Sequence, residues 1–505
     1  MRWLDLAIIA VYLAGITWFG ARFRNSQRTL KDYFLGGGHV PWWAIALSIV
    51  SAETSTLTVI GTPALSFRGN FAFLQLVFGY LLARIVIATL FLPAYFRGEM
   101  YTAYELMRRR FGDRIRRLTA GTFLLLRALA EGVRVVAIAL VVSIILGAGE
   151  VASIVVILCL TLFYTYEGGM TAVIWTDVAQ MFLYVAGAGV SFFVILHEIR
   201  GGWEHVAAIA GPLGKFQVFD FRIAGSPEFF TRPYSFWAGI VGGCFLTTAS
   251  HGTEQLMVQR LLAARDERQS RIALLTSWIV ILAQFTLFLA IGVCLYVYYS
   301  DRNAAPPVTL DKIYPLFIWE HLPVGVAGLA IAAILAAAMS NLSAALNSLA
   351  STTVMDFWKP LAESAHKASG KDPSQTSPSE SGPSENSDVR WLRLARYATV
   401  VWGAVLFGVA LLARHWGNVL EAGLSIASIL YGALLGVFLL GLLTRRVGEN
   451  AAMCGMSVGV ALMLYVRFAT PIAFTWYVVI GTAATFTTGL AASLFFKEKP
   501  FVASS

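Results

Sequence analysis

The sequence predicts an all-α integral membrane protein with about thirteen transmembrane helices. Hydrophobic residues make up 57% of the 505 residues and charged residues 13%, whereas a soluble globular domain has about 25% charged residues. Apolar runs of roughly 18 to 25 residues recur along the whole chain, and each is long enough to cross about 30 Å of hydrocarbon. The chain therefore has the composition of a protein that crosses the bilayer many times.

The predicted spans divide the chain into regions. We expect a peripheral helix and its loop in residues 1–32, and two further peripheral helices with a tail in residues 447–505. The thirteen spans lie at about 3–21, 41–65, 71–95, 117–147, 150–166, 171–198, 233–259, 271–299, 324–355, 391–413, 418–444, 450–469 and 471–495.

The Lys and Arg residues indicate how the chain lies in the membrane. Alternate loops fall on opposite sides, and one set holds 25 of the 38 basic residues while the other holds 10. Because cytoplasmic loops are enriched in Lys and Arg, we expect a multi-pass protein of the cell (inner or plasma) membrane with its N-terminus outside and its C-terminus in the cytoplasm. The basic excess therefore indicates a lipid bilayer as partner and not a nucleic acid.

Two long loops differ in composition. Residues 360–390 are rich in Ser, Pro and charge and have almost nothing apolar to bury, which predicts a flexible cytoplasmic linker. Residues 199–232 carry several Phe and Trp side chains. We expect this second loop to form an ordered extracellular cap with a short helix near Trp203–Ala210.

Small and hydroxyl residues fill the ninth span between Ala336 and Ser348. Ser and Asn gain little in hydrocarbon unless they bond a neighbour or line a cavity, and their oxygens are hard, neutral ligands of the kind that a sodium ion accepts. Close helix packing through small residues explains the run equally well on its own. Polar segments in three other spans favour the ion site.

Two of those segments predict broken helices. The second span contains the hydroxyl-rich run Ser51–Thr58, and the seventh contains the polar run 247–255. Unwound backbone within a membrane lines a protein cavity, where its carbonyls can coordinate a cation; a Ser/Thr-rich packing face is the alternative. Since each broken helix begins a set of five spans, we expect inverted repeats in residues 33–198 and 233–446.

Several ionisable residues lie inside spans, where a charge is costly and suggests a function. They include Glu53 in the second span and Asp177 in the sixth, which could pair with an arginine or take part in cation binding. Arg127, Glu131 and Arg134 share one face of the fourth span. They form either a structural ion-pair ladder or a site with a surplus arginine for a carboxylate ligand.

Several ordered motifs resemble those of the sodium/solute symporter family, which includes sodium–glucose, sodium–proline, sodium–iodide and sialic acid transporters. Residues 164–180 are similar to its YTxxGGxxAVxWTDxxQ signature, residues 339–358 to its Ser/Thr-rich helix with a terminal acidic residue, and residues 259–264 to its QRxLAA stretch. The likeness extends from about Asp32 to Arg446. It implies a LeuT-like five-plus-five inverted repeat and sodium-driven uptake by alternating access.

The resemblance also assigns candidate ion ligands. Asn341 stands where the family has a second hydroxyl, and Ala344 replaces one ligand of a second sodium that some members bind. The shared sodium site is implied at Ser51, Thr54, Ala337, Ser340 and Asn341, and the second site at Asp177, Ser340 and Ser343.

Polar groups left over in these spans are candidates for contact with the solute. Their mixed charges suit a carboxylate or a zwitterion, and Leu256 stands where sugar-transporting relatives have a stacking tyrosine, which argues against such a sugar. The candidates are Glu53, Arg134, His251, Thr253, Glu254 and Gln255.

A sodium-coupled symporter of a small solute is therefore the function that the sequence favours, with sodium, the solute and the bilayer as partners. We expect neither enzymatic activity nor an obligate protein partner, because no nucleophile–base pair or phosphate loop is evident. A passive channel and a solute-sensing membrane receptor are the alternatives.

Overall fold

The computed structural model describes residues 2–22, 29–98, 100–146, 150–221, 228–307, 310–362, 385–413 and 419–496, and these residues form a helical bundle without a β-strand. Residues 363–384 of the predicted linker lie outside this description. The helices are α1 (Trp3–Ala21), α2 (Leu30–Leu35), α3 (Trp42–Glu53), α4 (Thr56–Arg68), α5 (Leu74–Val86, continued through a π-helical turn to Tyr95), α6 (Ala103–Arg110), α7 (Asp113–Leu146), α8 (Glu150–Glu198), α9 (Gly202–Ala210), α10 (Gly243–Gly252), α11 (Gln255–Leu262), α12 (Glu267–Asp301), α13 (Ile313–His321), α14 (Val326–Thr352), α15 (Glu385–Ala413), α16 (Val419–Leu443), α17 (Glu449–Ala469) and α18 (Phe474–Phe495).

The helices have the length and composition of a multi-pass membrane protein. Within the described residues, eight helices are long and apolar enough to cross a bilayer, and the bent pair of α3 and α4 makes a ninth candidate span. The structure differs from the predicted spans at α8, which is helical throughout and shows no helix end between residues 166 and 171. One continuous helix thus covers residues that the sequence divided between two spans.

The predicted break in the second span is confirmed. The axes of α3 and α4 differ by 64°, and α3 ends at Glu53 because Thr54 adopts an extended backbone conformation. Ser55 then caps α4 by accepting from the Thr58 amide, while the Thr58 hydroxyl accepts from the Ser55 amide at 3.3 Å. This reciprocal capping gives the amides of Ser55 and Thr58 the hydrogen-bond acceptors that a continuous helix would otherwise provide.

The seventh span is also interrupted. A π-helical turn, Ala238–Gly242, leads into α10, which ends before Thr253. Glu254 has an extended conformation, and α11 begins immediately after it. The interruption places the side chain of Glu254 at a point where two helix ends meet in the interior of the bundle.

Between them runs α14, the central helix of the structure. All of its residues from Ala330 to Thr352 are buried, and it packs against α1, α3, α7, α8 and α15. The many Ala and Ser side chains permit this close packing from several directions. The small-residue run therefore does serve packing, whatever further role its hydroxyls have.

The segment that follows α8 contains the short helix that the sequence predicts. This helix, α9, begins at Gly202, and aromatic rings pack around it: the Trp203 and Phe216 centroids are 5.6 Å apart, and Phe216 lies 5.6 Å from Phe71. The segment is thus attached to the bundle by aromatic contacts.

The first helix holds the beginning of α14. The buried Asp5 Oδ1 accepts hydrogen bonds from the amides of Gly325 and Gly328, both at 2.7 Å. A Cβ at Gly328 would lie 2.6 Å from the Asp5 Cα, so only glycine permits this approach. Asp5 is therefore an N-terminal cap supplied by another helix.

Replacing Asp5 tests this cap. Asp5→Ala leaves the amides of Gly325 and Gly328 without this acceptor, and we expect it to lower the free energy of unfolding by about 1–3 kcal/mol. Asp5→Asn retains an acceptor oxygen and should lose less. Thermal unfolding of the purified proteins measures the difference, and equal losses in the two variants would show that the cap is unimportant.

Candidate functional site

The broken end of α3 lies directly against the middle of α14. The hydroxyls of Ser51 and Ser340 are 2.7 Å apart, and the Asn341 amide donates to the carbonyl of Ala52 at 2.8 Å. Because the Ser55 amide donates to a side chain, the Ser51 carbonyl lacks the bond that a continuous helix would give it. Unwound carbonyls and a hydroxyl thus meet at this crossing.

Asp177 lies at the same crossing and is fully buried. Its Oδ1 accepts from Ser340 Oγ at 2.6 Å, and its Oδ2 accepts from Ser48 Oγ at 2.5 Å and from Arg260 Nη2 at 2.9 Å. The arginine pairing that the sequence left open is therefore present. Arg260 was not among the predicted site residues, although its place in the QRxLAA stretch was a signal.

The other predicted ion ligands are arranged differently. Thr54 lies at the break, where its hydroxyl accepts from Gln284 Nε2 at 2.6 Å. The hydroxyl of Ser343 donates to the Ser340 carbonyl within α14 at 2.9 Å. The structure thus brings Ser51, Ser340 and Asp177 together, whereas Ser343 is bonded to its own helix.

The side chain of Asn341 has different partners from those expected of a sodium ligand. This oxygen accepts from Arg127 Nη2 and from Arg134 Nη1, both at 2.9 Å. The two guanidinium groups satisfy the amide oxygen, and their positive charge opposes a second cation at the same atom. In this structure Asn341 connects the break of α3 to the arginines of α7.

The predicted surplus of positive charge on α7 is balanced by a carboxylate from the other broken helix. Glu131 Oε2 lies 3.0 Å from both Arg127 and Arg134, and Glu254 Oε1 accepts from Arg127 at 3.1 Å. Tyr431 donates to Glu254 Oε2 at 2.5 Å. Two arginines and two glutamates thus form a neutral cluster, which lowers the cost of burying four charges.

A cavity of about 200 Å³ lies beside this cluster, between α4, α5, α7, α10 and α16. Three of the predicted solute residues line it: Glu53, Arg134 and Glu254. The Arg134 side chain is 28% exposed, whereas Arg127 is 4% exposed. Both guanidinium groups line the cavity, and Arg134 is the more accessible of the two to a molecule inside it.

Glu53 belongs to a second charged group. Its Oε2 accepts from Arg84 Nη2 at 2.6 Å and lies 3.4 Å from His251 Nε2. Arg84 Nε donates to Ser277 at 3.1 Å, and His251 Nδ1 is 2.8 Å from the Ser250 hydroxyl. His251 therefore supports Glu53 and does not itself line the cavity. Arg84, a charge inside a span, was the sequence signal for this pair.

Thr253 and Gln255 do not line the cavity either. The Thr253 hydroxyl donates to the Ala249 carbonyl at 2.7 Å within its own helix. Gln255 accepts from the Ala103 amide at 2.8 Å and donates to the Tyr101 carbonyl at 3.0 Å. Gln255 thus holds the beginning of α6, and the structure separates it from the solute candidates.

Aromatic side chains form one end of the cavity. Phe73 lies 5.0 Å from Phe285 and 5.8 Å from Tyr234, and Tyr234 lies 6.4 Å from Phe474, measured between ring centroids. All four line the cavity. Phe474 comes from α18, so a helix outside the predicted repeats contributes to the wall.

Known proteins resemble this chain over most of its length. The sodium/sialic acid symporter SiaT of Proteus mirabilis (strain HI4320) is 28% identical over 98% of this chain and 96% of its own length. The human sodium/iodide cotransporter is 28% identical over 91% of this chain and 68% of its own length. Human sodium-coupled monocarboxylate transporter 1 is 29% identical over 88% of this chain and 69% of its own length.

Solved structures agree. A substrate-bound, outward-open state of a Na+-coupled sialic acid symporter superposes with a TM-score of 0.84, at 27% identity and 98% coverage of both chains. Mhp1, a nucleobase-cation-symport-1 family transporter, shares the fold with a TM-score of 0.56 at 13% identity over 95% of this chain and 97% of its own. The sodium:solute symporter family model matches residues 33–375. The chain therefore belongs to the sodium:solute symporter family and couples the transport of a small solute to sodium.

Proposed function

We propose that this symporter carries a small organic solute with a carboxylate, alone or as part of a zwitterion, into the cell by alternating access. The observation that carries this proposal is Arg134, a partly exposed guanidinium in the cavity wall whose ion-pair partner is Glu131. A planar guanidinium binds a carboxylate through two parallel hydrogen bonds. Glu53 in the same wall suits an additional donor group on the solute.

The proposed topology has thirteen spans, an outside N-terminus and a cytoplasmic C-terminus in the cell membrane. Residues 33–198 and 233–446 are the inverted repeats, residues 1–32 and 447–505 are peripheral, residues 199–232 form the cap, and residues 360–390 are the linker. The positions of the two interrupted helices support this arrangement. So does the excess of Lys and Arg in one set of loops.

The proposed sodium site lies where the break of α3 crosses α14. Its ligands are the carbonyls of Ser51, Thr54 and Ala337 and the hydroxyl of Ser340, while Asn341 holds the site next to the arginine cluster. Asp177 Oδ1 accepts from Ser340 Oγ at 2.6 Å and so orients this hydroxyl, while Arg260 pairs with the other carboxylate oxygen. A second sodium at Asp177, Ser340 and Ser343 requires Ser343 to turn away from its own helix.

Sodium also links the two sites. Asn341 contacts the break of α3 through Ala52 and the solute-facing Arg134 through its amide oxygen. An ion that fixes α3 against α14 therefore fixes one hydrogen-bond partner of Arg134. This arrangement allows sodium binding to prepare the solute site, and reciprocity requires that the solute favours sodium binding to the same degree.

Ser340→Ala tests the ion site. The variant loses a proposed ligand, and we expect the sodium concentration for half-maximal uptake into proteoliposomes to rise severalfold, because alanine is already abundant in α14 and preserves its packing. Ser348→Ala is the matched control, since its hydroxyl donates to Ala345 in the same helix at 2.9 Å. The same sodium dependence in both variants would remove Ser340 from the site.

Arg134→Lys and Arg127→Lys test the solute site. Lysine keeps the charge and loses the planar fork, so we expect Arg134→Lys to weaken solute binding about tenfold with a small effect on stability. Arg127 is buried against Glu131 and Glu254, and Arg127→Lys should instead lower stability by about 1–3 kcal/mol. Isothermal titration and thermal unfolding measure the two effects. Changes confined to stability in both variants would make the cluster purely structural.

A further inference from the structure

We infer that the solute is a monocarboxylate with a short apolar body, aliphatic or aromatic, and not a polyhydroxylated acid. This inference rests on the proposed function, because it takes the carboxylate to lie on Arg134. It goes further by naming the chemistry of the remainder of the molecule. Three properties of the cavity carry it: an apolar wall, polar groups that already have partners, and a small volume.

The wall away from Arg134 is largely apolar. The aromatic end formed by Phe73, Tyr234, Phe285 and Phe474 is continuous with leucine side chains that include Leu246. Such a wall gains free energy by covering hydrocarbon, and its rings favour contact with another ring or an alkyl chain. A hydroxyl that loses water against this wall without finding a partner weakens binding.

Most polar groups of the wall are already bonded within the protein. The hydroxyls of Ser55 and Thr58 lie 3.3 Å from each other in the cap of α4. Both oxygens of Glu254 accept hydrogen bonds, one from Arg127 and one from Tyr431. A solute with several hydroxyls would compete with these bonds for the same groups, whereas an apolar body leaves them intact.

The volume of the cavity favours a small solute. The cavity measures about 200 Å³, which is below the roughly 300–1,000 Å³ of pockets for drug-sized ligands. A carboxylate with a short chain or one ring suits this space better than a large sugar acid. The chain is thus inferred to differ in its solute from the sialic acid symporters that it resembles.

A panel of acids tests the inference on the purified full-length protein. Thermal stabilisation in saturating sodium is titrated with straight-chain monocarboxylates from acetate to octanoate, with phenylacetate, with gluconate and with N-acetylneuraminate, and is repeated in choline. We expect affinity to rise about fourfold for each added methylene until the chain fills the cavity. We expect phenylacetate to bind, and the two polyhydroxylated acids not to bind.

Two reciprocal variants sharpen the result. Leu246→Asn introduces an amide into the apolar wall and should reduce the affinity for hexanoate. Thr62→Val replaces a wall hydroxyl with a methyl group of similar shape and should increase it. Opposite changes would contradict the inference, and because each variant has its own sign, a general loss of folding cannot imitate both outcomes.

The outcomes separate this inference from the proposed function. If gluconate or N-acetylneuraminate binds and this binding depends on sodium and on Arg134, the inference of an apolar solute body is wrong, while the proposed symport of a carboxylate stands. If no acid of the panel binds in sodium, or if uncharged solutes alone stabilise the protein, both are overturned. Affinity that rises with chain length in the wild type, and that Arg134→Lys lowers for every acid of the panel, supports both.

Discussion

The crossing of the broken α3 with α14 is the constraint on which the rest of the site depends. The backbone of α3 cannot end inside a membrane without partners for its last carbonyls and for the first amides of α4. Reciprocal capping by Ser55 and Thr58 gives the first amides of α4 hydrogen-bond acceptors. The small residues of α14 allow the end of α3 to approach this helix closely. What remains at the crossing is a set of oxygens suited to a small cation.

Charge balance governs the surroundings of this crossing. Within the described residues, Arg84 pairs with Glu53, Arg260 pairs with Asp177, and two arginines of α7 pair with Glu131 and Glu254. Each group is close to neutral, as expected where an unpaired charge would cost several kcal/mol. The incoming solute therefore meets a nearly neutral cavity, and an anionic group competes with Glu131 for the exposed side of Arg134.

The same balance explains what the sequence could and could not predict. Composition and apolar runs predicted a helical protein that crosses the membrane many times, and the run Ser51–Thr58 predicted the break of α3, because these are local properties of the sequence. The pairing of Arg127 with Glu254 could not be predicted, since it joins residues 127 positions apart. His251, Thr253 and Gln255 looked like site residues for the same reason as Glu254, yet their side chains bond elsewhere. Only the three-dimensional structure shows which polar side chain of a broken helix faces the cavity.

The most direct test of the sodium assignment is an experimental density map of the protein at high resolution in sodium, compared with one in choline. The account predicts ion density only in the sodium map, enclosed by the carbonyls of Ser51, Thr54 and Ala337 and by the hydroxyl of Ser340. It also predicts that the Asn341 amide oxygen keeps its hydrogen bonds to Arg127 and Arg134. Sodium-dependent density bound to the Asn341 amide oxygen, or located away from the break of α3, would contradict it.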